Sequence, residues 1–250
     1  MPDSQIYGLN AVLEALASGA ELSEIRLAVG LNQATRRQIE DLARQRGISV
    51  LKSQRKDLDR LTRGAVHQGV VAVWGAPATV ELDDLAALEP APGQRLVLLC
   101  LDEIQDPRNL GALARSALAF GAAGLVLPER RSAGLTPAAI KASAGALCRL
   151  PVARQTNLGR ALDRLKELGF WVTGAALQGG QPPWGFDPGE RVALVLGSEG
   201  SGLRPGIVAK LDYTVCIPMP GPAESLNVSV AGALLLYEWL ARPRTDRPES

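Results

Sequence analysis

The sequence predicts an α/β protein, with a small α/β domain over residues 1–75 and a parallel-sheet domain with helices on both faces over residues 96–242. Three observations carry that reading. Segment 96–102, LVLLCLD, is a nearly continuous apolar run ending in an acidic residue, as a strand buried on both faces requires. From there strand-like runs alternate with Ala- and Leu-rich helical stretches, the pattern of parallel β-α-β units. Between the two halves, Gly75–Arg95 holds Ala-Pro, Glu-Pro-Ala-Pro-Gly and four acidic residues against one basic, so residues 76–95 read as a linker.

In the first half, residues 10–17 place Val12, Leu13 and Leu16 on one helical face, and 24–29 reads as a short strand. Helix is expected over 34–46 and 54–61, and strand over 48–51 and 69–74. In the second half, helix 109–120 with Asn109 as N-cap follows the first strand, and 123–127 is the next strand. Helices are expected over 136–142, with Pro137 near its start, and over 157–168. Strands over 170–173, 192–196 and 213–217 lead to a long amphipathic helix over 226–240, which Ser225 can cap. The polar, Pro-containing end, 243–250, reads as a disordered tail.

Composition narrows the chemistry. The formal net charge of +1 gives no global nucleic-acid signal, but residues 36–63 carry nine basic side chains against four acidic, net +5. Such a run is either a solvated helix face or a surface for RNA. Lys occupies only five positions, an Arg bias that suits phosphate contacts and that a GC-rich genome also produces. Three scattered cysteines without CxxC spacing and a single histidine, His67, leave no disulfide framework or zinc site, so no metal is expected. No secretory leader or bilayer-length apolar stretch is visible, and a cytoplasmic protein that meets no membrane is expected.

Ligands of parallel α/β sheets bind where strands hand over to helices, and three such loops stand out. The first, 102–115, leads into a helix bearing Arg115 among small and apolar residues, where a long cation needs an anionic partner. The second, LGSEGSGL over 196–203, has glycines that admit close approach of a ligand but neither P-loop nor dinucleotide-binding spacing. The third, over 217–231, is stiffened by Pro218, Pro220 and Pro222 and ends in the polar set Ser225, Asn227 and Ser229. Each loop alone has an architectural explanation; their convergence on one sheet edge points to a ligand.

Together DPRNLGALARSALAFG (106–121), LVLGSEGSGL (194–203) and IPMPGPAESLNVSVAGALLLYE (217–238) resemble the signature motifs of the SpoU (TrmH-type) RNA 2′-O-ribose methyltransferases of the SPOUT superfamily. YGLNAVLEAL (7–16) is similar to the start of their small substrate-binding domain. The resemblance implies a C-terminal domain tied in a deep trefoil knot, an N-terminal domain like ribosomal protein L30e, a homodimer, and S-adenosylmethionine as cofactor. It implies cofactor contacts at Leu196, Gly197, Ile217, Pro218, Met219 and Leu226, and a reaction site of Asn109, Arg115, Glu199, Ser225 and Asn227. Arg108 stands where many members have His, which touches only a peripheral RNA contact.

The wording of the motifs is most like enzymes that methylate a guanosine in the peptidyl-transferase region of 23S large-subunit rRNA. Methylation of tRNA or of an rRNA adenosine is the alternative within the class. A non-catalytic RNA-binding ribosome-assembly factor is the alternative outside it. A nicotinamide dehydrogenase is disfavoured by the glycine spacing.

Overall fold

The computed structural model describes residues 5–17, 22–75, 79–185 and 187–242. The tail read as disordered and residues 76–78 of the expected linker lie outside them.

The N-terminal domain runs β1 (Gln5–Tyr7), α1 (Leu9–Ala17), β2 (Leu22–Ala28), α2 (Gln33–Gln45), β3 (Ser49–Ser53), α3 (Arg55–Leu61) and β4 (Val70–Trp74). Its sheet has the order β1-β4-β2-β3, with β2 and β3 parallel and β4 antiparallel to both its neighbours. Asn32 caps α2 by accepting from Ala34 N at 2.9 Å, and Ile39 and Ala43 turn the inner helix face to the core.

The stretch read as linker is partly structured. β5 (Thr79–Val80) and α4 (Leu82–Ala86) interrupt it, and β5 extends the C-terminal sheet by pairing with β8. Leu82, Leu85 and Ala86 are buried, so the acidic residues mask an apolar i, i+3, i+4 pattern that anchors the segment.

The second domain continues with β6 (Leu96–Leu101), α5 (Pro107–Phe120), β7 (Gly124–Pro128), α6 (Pro137–Ala142), α7 (Ala146–Arg149), β8 (Val152–Gln155) and α8 (Leu158–Glu167). Then come β9 (Trp171–Ala176), β10 (Arg191–Leu196), α9 (Pro205–Val208), β11 (Tyr213–Cys216), α10 (Val228–Leu236) and a π-helical turn, Tyr237–Ala241. The strands form one parallel seven-stranded sheet in the order β11-β9-β10-β6-β7-β8-β5. β6 shows why the run of apolar residues was needed. Val97, Leu99 and Leu101 join the core under α5 and α10, while Leu96, Leu98 and Cys100 join the one under α4 and α8. Burial pushes the Cys100 thiol up to about 12, so it packs and does not react.

Two caps differ from expectation. α5 begins earlier, with Asp106 as N-cap accepting from Arg108 N at 2.8 Å and Pro107 in the first turn, which leaves the Asn109 side chain free for other work. α10 begins later, and its cap is Asn227, not Ser225. Gly232 lets α10 close on α5, since a Cβ there would run into Leu113 and Leu196.

Candidate functional site

The carboxyl ends of β10, β9 and β11 open into a cavity of about 620 Å³. The loop after β10 forms one wall. Ser198 and Gly202 exchange backbone hydrogen bonds, Ser198 N to Gly202 O at 3.1 Å and Gly202 N to Ser198 O at 3.0 Å. Gly200 and Gly202 adopt left-handed φ of 88° and 66°, which glycine takes without strain. Gly197 is packed so closely against the backbone of Gly202 and Leu203 that no Cβ fits.

The same loop is clamped at its far end by Asp102, which is fully buried at the end of β6. Its carboxylate accepts from Arg204 N at 3.1 Å and from Arg204 Nε at 2.8 Å. Hydrogen bonding to Asp102 in turn raises the Arg204 pKa above its ordinary value. An acidic residue ending a buried strand is therefore satisfied by the loop it positions.

The other wall comes from the proline-rich loop and the start of α10. Of the residues expected to hold a cofactor, Leu196, Gly197, Ile217, Met219 and Leu226 line the cavity. Pro218 does not; it is exposed, as alternate residues of an extended segment face opposite ways. Glu199, Ser225 and Asn227 also line it. Asn227 ties the walls together: its Oδ1 accepts from Ser229 N at 2.9 Å, capping α10, while its Nδ2 donates to Asn109 Oδ1 at 3.1 Å and to Glu199 Oε1. Three residues from three separate motifs thus meet at the lip.

Arg115 stands apart. It lies outside the cavity, exposed on α5, with no ion-pair partner among the described residues. Solvent reaches its guanidinium, so the small and apolar residues beside it in sequence do not impose the anionic partner expected from them. Sequence reasoning also missed the third wall, Ala175, Ala176 and Leu177 at the end of β9. The small-residue run Thr173–Ala176 was its only signal: Gly174 has Leu203 and Leu211 pressed against it. Among the described residues no cluster of side chains could hold a metal.

Residues 96–237 match the family model described as SpoU rRNA Methylase, and residues 5–79 match that for RNA 2′-O ribose methyltransferase substrate binding. The chain belongs to the SpoU rRNA methylase family. It is 42% identical over 233 residues to a Bacillus subtilis protein assigned to the TrmH family of tRNA/rRNA methyltransferases, an alignment covering 93% of each chain. The solved AdoMet-bound rRNA methyltransferase of Sinorhizobium meliloti is 26% identical with a TM-score of 0.65, covering 94% of this chain and 85% of its own. The TrmH/SpoU tRNA-modifying enzyme of A. aeolicus is 28% identical with a TM-score of 0.54, but covers only 64% of this chain and 81% of its own. The SpoU match spans the two loops that line the cavity and also Asn109, which lies outside the lining and reaches it through Asn227, and the substrate-binding match spans the four-stranded sheet.

Proposed function

We propose that this SpoU-family chain is an S-adenosylmethionine-dependent methyltransferase that modifies a ribose 2′-hydroxyl in 23S rRNA, at a guanosine. The observation that carries the reading is the meeting of Asn109, Glu199 and Asn227 at the lip of the cavity. The cavity's residues fit the cofactor. Its volume is within the range that suits a nucleoside-sized ligand, its walls are mostly aliphatic, and Glu199 and Glu224 give it the negative charge that suits a cation. Leu196, Ile217 and Leu226 would hold the adenosyl part, with backbone at Gly197 free to approach it.

When bound, S-adenosylmethionine supplies a methyl group made electrophilic by its sulfonium. The chain's own residues must then orient a weak nucleophile and manage its proton. Asn227 fixes the Glu199 carboxylate and the Asn109 amide relative to the cavity, so the lip is preorganised. Guanidinium stays protonated in proteins, so Arg115 acts electrostatically: it holds the target phosphate and stabilises negative charge developing on the 2′-oxygen. The proton leaves to phosphate or to water. RNA phosphate also supplies the anion that Arg115 lacks.

Coverage supports rRNA over tRNA, because the rRNA-methyltransferase neighbour aligns along both domains whereas the tRNA-modifying one does not. A homodimer fits the last helical segment, and the proposal places it in the cytoplasm. Val230, Leu234 and Tyr237, at i, i+4 and i+7, are all exposed, an apolar stripe that a second copy would cover. No helix of the described residues is long and apolar enough to cross a membrane. The deep trefoil knot belongs to the same proposal and rests on membership of the SpoU family.

Purified protein with S-adenosylmethionine should place one 2′-O-methyl mark on unmodified 23S rRNA, found by mapping ribose methylation. Methyl transfer to a base, or to tRNA alone, would overturn the reading. Arg115→Lys keeps the charge but loses the fork, and should lower kcat by about 100-fold. Cofactor affinity should not move, since Arg115 lies outside the cavity. Near-normal turnover with only a shifted pH optimum would overturn the fork argument.

A further inference from the structure

Asp102 is followed by a second acid, Glu103, at the turn where the chain leaves β6 for α5. Its side chain is only 19% exposed, and one oxygen, Oε1, stands 3.4 Å from Arg204 Nη1 and 3.4 Å from Arg131 Nη1. Arg204 therefore divides its guanidinium between the two acids: Nε and Nη2 face Asp102 Oδ1, and Nη1 faces Glu103. Arg131 belongs to the loop after β7. That loop is laced to the same turn by Ala133 N, which donates to Ile104 O at 2.7 Å, and both residues are buried. Three loops at the carboxyl edge of the sheet thus meet on one carboxylate.

The backbone makes this meeting costly. Glu103 sits at a φ of 58° and Arg131 at 57°, the left-handed region that residues with a Cβ enter only against a steric penalty. Glycine would take either turn freely. Asp102 already holds one edge of Arg204 and its backbone N, so attaching the cavity loop to β6 does not require a second acid. An ion pair as exposed as that of Arg131 adds little to stability. Neither folding nor the cavity wall accounts for a glutamate at this turn, and a strained, paired residue next to a reaction site points to function.

Its place in the chain says what it positions. Glu103 lies on the loop that runs to the α5 cap Asp106 and to Asn109, while Arg204 ends the loop that carries Glu199. Asn109 and Glu199 meet at their tips through Asn227. Their loops meet again at the base through Glu103 and Arg204. We infer that Glu103 is a positioning residue for the methyl transfer: it locks the turn from β6 into α5 against Arg204 and Arg131, and so holds Asn109 in register with Glu199. Asp102 secures the cavity wall, and Glu103 secures the lip. The inference rests on the proposed reading of the lip and adds a residue outside the cavity on which the rate depends.

Glu103→Gly removes the carboxylate and relieves the turn, so the melting temperature should hold or rise. At saturating S-adenosylmethionine and deproteinised 23S rRNA, kcat should nonetheless fall about 10-fold, the cost of a lip slightly out of place. Cofactor affinity should be unaltered, since Asp102 still holds Arg204. By charge alone, losing an acid favours RNA binding, so a slower enzyme with undiminished RNA affinity marks a loss of position. Glu103→Gln keeps an oxygen at the same reach without the charge and should recover part of the rate. Arg131→Gln should cost less than Glu103→Gly, and the double variant should be no slower than Glu103→Gly, because Arg131 acts through that carboxylate. The inference is overturned by a Glu103→Gly enzyme with wild-type kcat, by a rate loss matched by an equal loss of cofactor affinity, or by a double variant that loses the product of the two effects. Each of these leaves the reading of the lip intact. A wild type that transfers no methyl group to RNA overturns both.

Discussion

Gly197→Ala is expected to abolish cofactor uptake, with S-adenosylmethionine affinity reduced by more than 100-fold in titration calorimetry, while the N-terminal domain still binds RNA. The added methyl has nowhere to go. It would overlap the carbonyl group of Gly202 and the backbone nitrogen of Leu203, and backbone cannot rotate aside as a side chain can. Relief requires breaking the paired Ser198 and Gly202 hydrogen bonds that set the loop. Ser198, Glu199, Gly202 and Leu203 would then leave their places on the cavity wall. Overpacking of this kind costs about 1–3 kcal/mol, so melting should fall by a few degrees without loss of the fold. The Asp102 clamp on Arg204 lies beyond the strained link and keeps the rest of the loop attached to β6. A variant that binds cofactor within about threefold of wild type would show that the loop reshapes freely, and that Gly197 is not what defines the wall.

The reach of sequence reasoning follows the range of the interactions. Strand β6 was legible because burial on both faces demands an unbroken apolar run, a property of consecutive residues. The three loops were legible for the same reason, as local glycine and proline signals. The caps were misplaced by two or three residues because Asp106 and Asn109, like Ser225 and Asn227, are equally good caps locally. What selects Asp106 is Pro107 in the next position. What reserves Asn109 is a partner 118 residues away, Asn227. The wall at Ala175–Leu177 was invisible because small residues at a strand end announce no chemistry until β9 is placed between β10 and β11. The segment 79–86 was read as linker because charge outweighed a short apolar pattern that only the sheet's edge explains. The basic excess over 36–63 was visible, but that Arg44 pairs with Asp41 while Lys52, Arg55, Lys56, Arg60 and Arg63 stand exposed without an ion pair among the described residues is a three-dimensional fact.

The sharpest test of the lip is Asn227→Asp. Aspartate caps helices about as well as asparagine, and its oxygen can still accept from Ser229 N, so melting should stay within about a degree of wild type. The donor side is lost. Asn109 Oδ1 and Glu199 Oε1 both depend on Asn227 Nδ2, and the new carboxylate would instead repel Glu199. The lip therefore opens while the helix stays in place. We expect kcat to drop by about 100-fold, the size of effect seen when one placed donor is removed from a reaction site. Cofactor affinity should change much less, since the aliphatic walls at Leu196, Ile217 and Leu226 are untouched. Combining Asn227→Asp with Glu199→Gln should remove the repulsion and recover part of the lost rate, a coupling that independent sites would not give. If the single variant keeps more than half of wild-type kcat, or if the double variant loses the product of the two separate effects, then Asn227 only caps α10. Joining the three motifs would then be incidental to catalysis.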